Sequence, residues 1–447
     1  MGLTKFVPFR RVTYGCLAGL LASFLLFFFF SAGGEGNPNV AAAYSPSNLL
    51  SWFLPAPHDG SGWLDPTGSR PKKKGVGRRG NRSSGRSQSE KSHEALETHR
   101  LQGSCDIFSG RWIRDDRKPL YDPGSCPIVD PTFSCHENGR PDQEFLNWRW
   151  QPNDCDIPRF SKQIKGSEVG FRRDSLNRNM WESLVCILRN GLNESRVYEE
   201  SGTNDFKASE HVSFRFMDYN CSVELVRSPY LVRVVHTKAA NGERIERLSL
   251  DLMEEASASY RDADIIIFNT GHWWNHVKTK ARVSVQSFLD YYQEGGHVYP
   301  VLPVMAAYKK ALSTWARWVD ENIDPNKTQV VFRGISPSHF RALPWGEGAD
   351  LQRDLLRRKP VPKLKALKPV FDQMKTPVIF LNISRLTEFR KDAHPSIYGM
   401  KYASAAEAVN AVETQDCSHW CLPGLPDTWN ELLYASLLMA GRGTWKS

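Results

Sequence analysis

The chain has 447 residues, of which 40% are hydrophobic, and its formal net charge is +9. This length is too great for one small domain and suits one large α/β domain with appended segments. Eight of the positive charges lie in one stretch without acidic residues, namely Arg70, Lys72, Lys73, Lys74, Arg78, Arg79, Arg82 and Arg86. Without them the net charge would be about +1, which argues against a nucleic-acid-binding domain, because such a domain needs basic charge on its folded surface.

The first predicted element is a membrane-spanning segment at residues 14–32, preceded by a short cytosolic tail at residues 1–13. The segment has no charged residue and approaches the ~20 apolar residues that span a bilayer. Lys5, Arg10 and Arg11 precede it, so the positive-inside rule predicts that the N-terminus stays in the cytosol. A cleaved signal peptide is the alternative, but its apolar part usually has only about 7–15 residues. We therefore expect an uncleaved anchor and a single-pass type II protein whose remainder is lumenal.

The next predicted element is a flexible stem at residues 33–104. This stretch is rich in Gly, Ser, Pro and basic residues and has no sustained hydrophobic period. Its basic part could contact anionic headgroups or acidic glycans, although a solvated and disordered stalk is the simpler interpretation.

The cysteines and glycosylation sequons agree with a lumenal location. Cys16 lies within the predicted anchor, and the other eight cysteines follow it, an even number that favours disulfides in an oxidising compartment. A zinc site at Cys417, Cys421 and His419 is a minor alternative, because the remaining ligands are not visible, and no metal is expected. Asn-X-Ser/Thr sequons suit a secretory route. They begin at Asn81, Asn193, Asn220, Asn326 and Asn382.

Two lumenal parts follow the stem. Residues 105–158 are dense in Cys, Trp, Pro and Gly, so we expect a loop-rich module stapled by disulfides. Residues 159–447 alternate apolar runs with helical stretches, as α/β domains do. The apolar runs at residues 265–268, 330–332 and 378–381 indicate strands that are buried on both faces of a parallel sheet.

Helices are predicted before, between and after these runs. One covers residues 176–188, a second includes Trp315 and Val319, and a third opens with a capping box formed by Thr428 and Glu431. This alternation predicts an α/β sandwich in which the loops at the carboxyl ends of the strands carry the functional site.

Three polar motifs could carry chemistry. In the first, Ser175 follows Asp174 at the start of a predicted helix. Its N–H would lie at the positive end of the helix dipole and suit a nucleophile whose attack creates an oxyanion. An ordinary N-cap is the alternative and the commoner role of such a motif. In the second, Asp416 lies three residues before His419, so the carboxylate could fix the tautomer of a general base.

The third motif directly follows an apolar run. Asn269 could donate its amide to an oxyanion there, or it could form a turn with Gly271. Trp273 and Trp274 come next and could stack on sugar rings or pack in the core. Serine early, asparagine in the middle and Asp-x-x-His near the end is the order of the GDSL/SGNH serine hydrolases.

Several longer stretches resemble one plant family. Cys105-Asp106-Ile107-Phe108 and Trp148-Arg149-Trp150-Gln151-Pro152 resemble the N-terminal module of the trichome birefringence-like family. Residues 174–181, 269–274 and 416–431 resemble its catalytic domain. The resemblance covers nearly all of the chain after the stem.

This resemblance implies an SGNH-hydrolase-like α/β fold with a central parallel sheet, and an O-acetyltransferase that modifies cell-wall polysaccharide in the Golgi. It implies a triad of Ser175, His419 and Asp416, with Asn269 and the backbone N–H of Ser175 as oxyanion donors. The acetyl group would pass through an acetyl-serine to a sugar hydroxyl. No cofactor is implied beyond an acetyl donor, whose identity stays open, as does the choice among xylan, pectin, xyloglucan and mannan.

The resemblance further implies disulfides that join the N-terminal module to the catalytic domain. Cysteines expected in disulfides are Cys126 with Cys186, Cys135 with Cys421, and also Cys105 and Cys155. The partner of Cys417 is left open, because the stretch at residues 341–348 lacks the cysteine that the family carries there.

Three other departures from the family bear on activity. Arg173 replaces the glycine of the family's Gly-Asp-Ser motif, where glycine would allow a closer backbone approach. Only ten residues separate Cys155 from Gly166, and the stretch at residues 281–290 is longer than the family's turn. A degenerating paralogue or a mis-spliced gene model would explain these features, so a catalytically impaired glycan-binding relic is one alternative function. An acetyl esterase is the other, because it shares the acyl-serine.

Overall fold

The computed structural model describes the chain from Cys105 to Gly441, with gaps. Within that span the residues left out are 161–167, 191, 194, 195, 200–208, 210, 239–241, 243, 276, 277, 280–290, 340–361, 405, 406, 408–410 and 412–414. The predicted tail, anchor and stem lie outside the described residues. So do the stretches at 281–290 and 341–348, Gly166, and the side chain of Arg173. Among the helices that are described, none is long and apolar enough to cross a membrane.

The structure describes thirteen strands and five α-helices. The strands are β1 (Gly110–Arg114), β2 (Trp148–Pro152), β3 (Glu168–Arg173), β4 (Val197–Glu199), β5 (His211–Phe216), β6 (Cys221–Arg227), β7 (Val232–Lys238), β8 (Arg244–Met253), β9 (Ile265–Phe268), β10 (Tyr292–Glu294), β11 (His297–Tyr299), β12 (Gln329–Arg333) and β13 (Val378–Leu381). The helices are α1 (Ser175–Arg189), α2 (Val304–Asn322), α3 (Pro362–Phe371), α4 (Ser384–Glu388) and α5 (Leu425–Met439).

Seven strands form the central sheet, in the order β13-β12-β9-β3-β6-β5-β4. The five strands from β13 to β6 are parallel, and β5 and β4 continue the sheet antiparallel. Every residue of β9 and β12 is buried, which explains the apolar runs at residues 265–268 and 330–332. The three strands predicted from such runs are confirmed, but the sheet as a whole is mixed at one edge.

Helices cover both faces of this sheet. Ile265 and Ile267 of β9 pack in the cluster that includes α1 and α5, whereas Ile266 and Phe268 pack in the cluster with α2 and α3. This alternation follows from the two-residue period of a strand. The predicted helices at residues 176–188 and around Trp315 correspond to α1 and α2.

The predicted start of the last helix was wrong. Helix α5 begins at Leu425, not at the Thr428–Glu431 motif. The backbone N–H of Gly424 donates to Asp427 Oδ2 at 2.8 Å, so Asp427 supplies the cap. Pro426 is tolerated there because the first N–H groups of a helix have no intrahelical partner.

A second sheet was not predicted. It has four strands in the order β11-β10-β8-β7, and α2 packs against β8. Strand β8 alternates polar and apolar residues, as a half-buried strand does. This period-two signal was present in the sequence, but it is weaker than the continuous runs of the central sheet.

The N-terminal module is a two-stranded antiparallel sheet, β1 with β2, surrounded by turns. Its three disulfides are Cys105–Cys155, Cys126–Cys186 and Cys135–Cys421. The second ends on α1 and the third ends just before α5, so both tie the module to the larger domain. These last two are the pairs that the resemblance implies, and Cys105 and Cys155 were also expected in disulfides. Cys221 and Cys417 are buried and are not disulfide-bonded.

Candidate active site

The site lies at the carboxyl ends of neighbouring parallel strands, as the sequence predicts. Asp174 follows β3 and Asn269 follows β9. Asp174 is the N-cap of α1, because its Oδ1 accepts hydrogen bonds of 2.9 Å from the backbone N–H groups of Leu176 and Asn177. The capping role therefore belongs to Asp174, and it leaves Ser175 as the first helical residue, with a half-buried side chain.

His419 and Asp416 form a hydrogen-bonded pair. His419 Nδ1 lies 2.7 Å from Asp416 Oδ2, while Asp416 Oδ1 accepts from the backbone N–H groups of Ser418 and His419 at 2.9 and 3.0 Å. Burial raises the pKa of Asp416, but its interactions with His419 and the backbone N–H groups outweigh burial and lower the pKa to about 2. The carboxylate stays ionised and fixes the imidazole with its hydrogen on Nδ1.

The other nitrogen of His419 then carries a lone pair. This Nε2 atom is buried and makes no hydrogen bond to any described residue. The ring of Phe133 lies 5.2 Å from the imidazole, and the guanidinium of Arg178 lies over Phe133 at 4.9 Å. A buried and unengaged imidazole nitrogen is what a general base requires.

Asn179 joins α1 to the loop that carries His419. Its Nδ2 donates to the backbone oxygen of Trp420 at 3.0 Å, and the N–H of Trp420 donates to Asn179 Oδ1 at 2.9 Å. Asn179 follows Ser175 by four residues, so both side chains lie on one face of α1. The two bonds therefore hold the serine-bearing face of the helix against the histidine loop.

Asn269 lies beside the N-cap. Its Nδ2 donates one hydrogen to Asp174 Oδ2 at 2.6 Å, so only its second N–H could serve an oxyanion. His272 is 19% exposed, although its Nδ1 atom is buried 3.8 Å from Asp174 Oδ2. Its Nε2 donates to the backbone oxygen of Ser336, and burial lowers the pKa of His272 to about 4. His272 is therefore neutral near pH 7.

Arg333 provides the compensating charge beneath Asp174. It is completely buried, its Nε donates to Asn177 Oδ1 at 2.9 Å, and its Nη2 lies 3.7 Å from Asp174 Oδ1. Burial lowers the pKa of Arg333 to about 10, so the guanidinium stays charged at neutral pH. The N-cap carboxylate is thus held between a helix N-terminus and a buried cation.

An open cavity of about 340 Å³ adjoins Ser175. Trp273 lines it and is half-buried, whereas Trp274 is 1% exposed and donates its indole N–H to Thr270. Each predicted role of the tryptophan pair therefore fits one member. The full lining consists of Thr132, Asp174, Ser175, Arg178, Arg227, Pro229 and Trp273.

The structure brings the predicted residues to one region, and it adds partners that the sequence did not reveal. Asn177, Asn179 and Arg333 support the site through contacts with residues at least 90 positions away. The only available signal was an arginine ending the apolar strand β12. Cys421 is disulfide-bonded and cannot be a thiolate ligand of zinc. Within the described ranges no group of three metal-binding side chains occurs.

Comparison with known proteins shows which family the chain belongs to. The model of the PC-esterase family, described as a GDSL/SGNH-like acyl-esterase family found in Pmr5 and Cas1p, matches residues 155–436. The chain belongs to this PC-esterase family. A second family model, the PMR5 N-terminal domain, matches residues 103–156, so the disulfide-bonded module has its own counterpart.

Several curated proteins of Arabidopsis thaliana are similar to most of the chain. Protein trichome birefringence-like 1 is 48% identical and protein trichome birefringence is 47% identical, each over 75% of this chain. The matches span only 62% and 56% of those two proteins. Protein trichome birefringence-like 4 is 46% identical over 75% of this chain and 76% of its own length. The resemblance to the trichome birefringence-like family is confirmed.

Proposed function

We propose that this chain is an O-acetyltransferase that moves acetyl groups onto hydroxyls of a plant cell-wall polysaccharide through an acetyl-serine at Ser175. The observation that supports it most strongly is the Asp416–His419 pair. The Nδ1–H of His419 donates to Asp416, whereas its buried Nε2 makes no hydrogen bond to any described residue. Both residues lie in a loop that is held against the helix that begins with Ser175. This arrangement suits the activation of a serine nucleophile.

In the first half-reaction, His419 Nε2 takes the proton of Ser175 Oγ as Oγ attacks the acetyl carbonyl carbon. The negative charge that develops on the carbonyl oxygen is stabilised by the N–H of Ser175 and the second N–H of Asn269. The bond to the leaving group then breaks, and His419 returns its proton to that group. The acetyl donor is not specified by these residues.

In the second half-reaction, His419 takes the proton of a sugar hydroxyl, and the sugar oxygen attacks the acetyl-serine. The ester bond to Ser175 Oγ breaks, and Oγ regains its proton from His419. Water attacking in place of the sugar would give hydrolysis, so transfer depends on a sugar occupying the cavity. Trp273 in the cavity wall suits stacking on a sugar ring. Xylan, pectin, xyloglucan and mannan all remain candidates.

We further propose that the chain is a Golgi protein anchored by residues 14–32, with its catalytic domain in the lumen. Four sequon asparagines among the described residues are exposed, which supports a glycosylated lumenal domain. They are Asn193, Asn220, Asn326 and Asn382. A glycosidase should increase the electrophoretic mobility of the expressed protein, and recovery of an unglycosylated cytosolic protein would overturn the topology.

The test of activity combines an activated acetyl ester with oligosaccharides from the four candidate polymers. The parent protein should yield acetylated oligosaccharide. Ser175→Ala and His419→Ala should each abolish it, with no further loss when combined. Ser313→Ala and His297→Ala, which change exposed residues, are matched controls and should retain activity.

A second candidate, acetyl ester hydrolysis, is favoured by the acyl-esterase description of the family. Free acetate without acetylated sugar, lost in the same two variants, would assign the chain to hydrolysis. Arg173→Gly tests the impaired alternative, because it restores the family's motif. An increase approaching the ~100–1000-fold effect of one oxyanion donor would show that the arginine limits activity.

A further inference from the structure

Two buried imidazoles lie next to the loop that carries His419, and the reaction above uses neither. His339 follows β12 and is 8% exposed, and His394 is 2% exposed. His339 Nδ1 lies 2.7 Å from His394 Nε2, which is hydrogen-bond distance. The two rings therefore share one hydrogen between these nitrogens.

The outer nitrogens of the pair both face oxygen atoms that can only accept. His394 Nδ1 lies 2.6 Å from the backbone oxygen of His419, so this nitrogen must carry a hydrogen. At the other end, His339 Nε2 lies 3.1 Å from the backbone oxygen of Glu388 and 3.8 Å from its carboxylate Oε1. That nitrogen must carry a hydrogen as well.

The four ring nitrogens thus hold three hydrogens, whereas two neutral imidazoles hold two. We propose that His339 and His394 form a singly protonated, positively charged pair that positions the loop of residues 416–421. The positioning role rests on the proposed acyl transfer, because its purpose is to place His419 for that reaction. The charge state is independent of it.

The surroundings place the charge on His339. Burial lowers the pKa of His394 to about 3, so His394 is the neutral ring and accepts from His339. Glu388 ends α4, where backbone oxygens have no intrahelical donor, and its carboxylate adds a negative charge. The face of His394 stacks on Trp420, with ring centroids 3.8 Å apart.

Other charged groups also face the pair. Arg140 donates to the backbone oxygen of His394 at 3.1 Å and is a cation on that side. The charge of Asp416 favours a protonated His394, whereas those of His339 and His419 oppose it. Glu388 and Asp416 are thus anions at opposite ends of the pair.

The pair acts on His419 through the backbone. The carbonyl that accepts from His394 belongs to His419 itself, and the N–H of His339 donates to the backbone oxygen of Cys417 at 3.0 Å. Loss of the bond from His394 would free the residue that carries the general base. His339 and His394 are positioning residues, because neither faces the cavity at Ser175.

The charge state can be tested on the purified full chain by nitrogen-15 NMR with labelled histidine, which distinguishes protonated from bare ring nitrogens. Signals are assigned by their loss in His339→Asn and His394→Asn. At neutral pH we expect three protonated nitrogens and one bare nitrogen in the two rings. One protonated and one bare nitrogen on each ring would overturn the charged pair.

The positioning role has two readouts. His394→Phe keeps a ring on Trp420 but removes the donated hydrogen. It should lower kcat about 100-fold with little change in KM, as small misplacements of catalytic groups do. His394→Asn keeps a donor near the Nδ1 position and should recover much of kcat, and His236→Phe, at an exposed histidine, should match the parent.

The second readout needs no activity, so it separates this proposal from the proposed function. The Nδ1–H proton of His419 should give a low-field resonance because it donates to Asp416. In folded His394→Phe this resonance should move or broaden. An unchanged resonance would overturn the positioning role, whether or not the parent transfers acetyl groups.

Discussion

The two aspartates of this site, Asp174 and Asp416, are held in place by neighbouring protein groups. Asp416 uses both carboxylate oxygens, one on the imidazole of His419 and one on backbone N–H groups. Asp174 is held by helix N–H groups and by the buried guanidinium of Arg333. These contacts fix the orientation of both carboxylates, and those of Asp416 also lower its pKa. Each can be tested by one substitution.

Asp416→Asn should destabilise the protein in a pH-dependent way. The pKa of Asp416 is lowered from 3.8 to about 2, so its ionised form stabilises the fold above about pH 4, and this stability is lost as the pH falls through 2. The variant should lose about 2 kcal/mol of unfolding free energy at pH 6. Urea denaturation should show this difference shrinking between about pH 4 and 2. Asp262→Asn, whose side chain is 90% exposed, is the control, and a pH-independent deficit would contradict the argument.

Arg333→Met should cost about 3–5 kcal/mol, because it leaves Asp174 buried without its cation and removes the donor to Asn177. Chemical denaturation measures this loss. Arg385→Met, at an exposed position of α4, should change stability by less than about 0.5 kcal/mol. Equal effects of the two substitutions would show that Arg333 does not compensate Asp174.

At the scale of elements, the site depends on one helix and one loop that meet only in the folded chain. Helix α1 supplies Ser175, the loop supplies Asp416 and His419, and Asn179 connects them across 241 positions. The contact between them is what the fold contributes.

Asn179→Ala should weaken this connection. The side chain is completely buried, and its loss leaves the backbone oxygen and N–H of Trp420 without their partner. We expect a loss of about 2–3 kcal/mol and a fall of about 100-fold in kcat, since Ser175 and His419 would no longer be held together. Asn322→Ala, at an exposed residue of α2, is the control. Full activity in Asn179→Ala would refute this role.

Some elements of the fold can be predicted from local sequence patterns, and others cannot. Strands β9, β12 and β13 and helix α1 were predicted because burial on both strand faces, or on one helix face, leaves a local pattern. The helix start capped by Asp427 was missed because a competing Thr-x-x-Glu pattern begins at Thr428, four positions after the N-cap Gly424. The hydrogen bonds from Asn179 to Trp420 and the pair of His339 and His394 depend on backbone atoms that are distant in sequence, and no local pattern predicts such contacts.

At the scale of the whole molecule, disulfides connect the N-terminal module to the site. Cys135 is bonded to Cys421, two residues after His419, and Cys126 is bonded to Cys186 in α1. The module therefore borders both elements that carry the proposed catalytic groups. Its loss should affect the site as well as the stability of the domain.

Replacing both Cys135 and Cys421 by serine should lower the unfolding free energy by about 2–4 kcal/mol and also reduce kcat. The matched control replaces Cys105 and Cys155, whose bond lies within the module. The control should lose stability but retain more activity. Non-reducing peptide mapping of the parent checks the pairs first, and free thiols at Cys135 and Cys421 would contradict the account.

If Ser175 carries the acetyl group during transfer, the acetyl-serine intermediate can be trapped and identified. The purified chain is mixed with an activated acetyl ester, quenched in acid within one turnover and mapped by peptide mass spectrometry. We predict one acetyl group on the peptide that contains Ser175, absent in Ser175→Ala and strongly reduced in His419→Ala. Acetyl transfer to oligosaccharide without a labelled Ser175, or undiminished transfer by Ser175→Ala, would contradict the account.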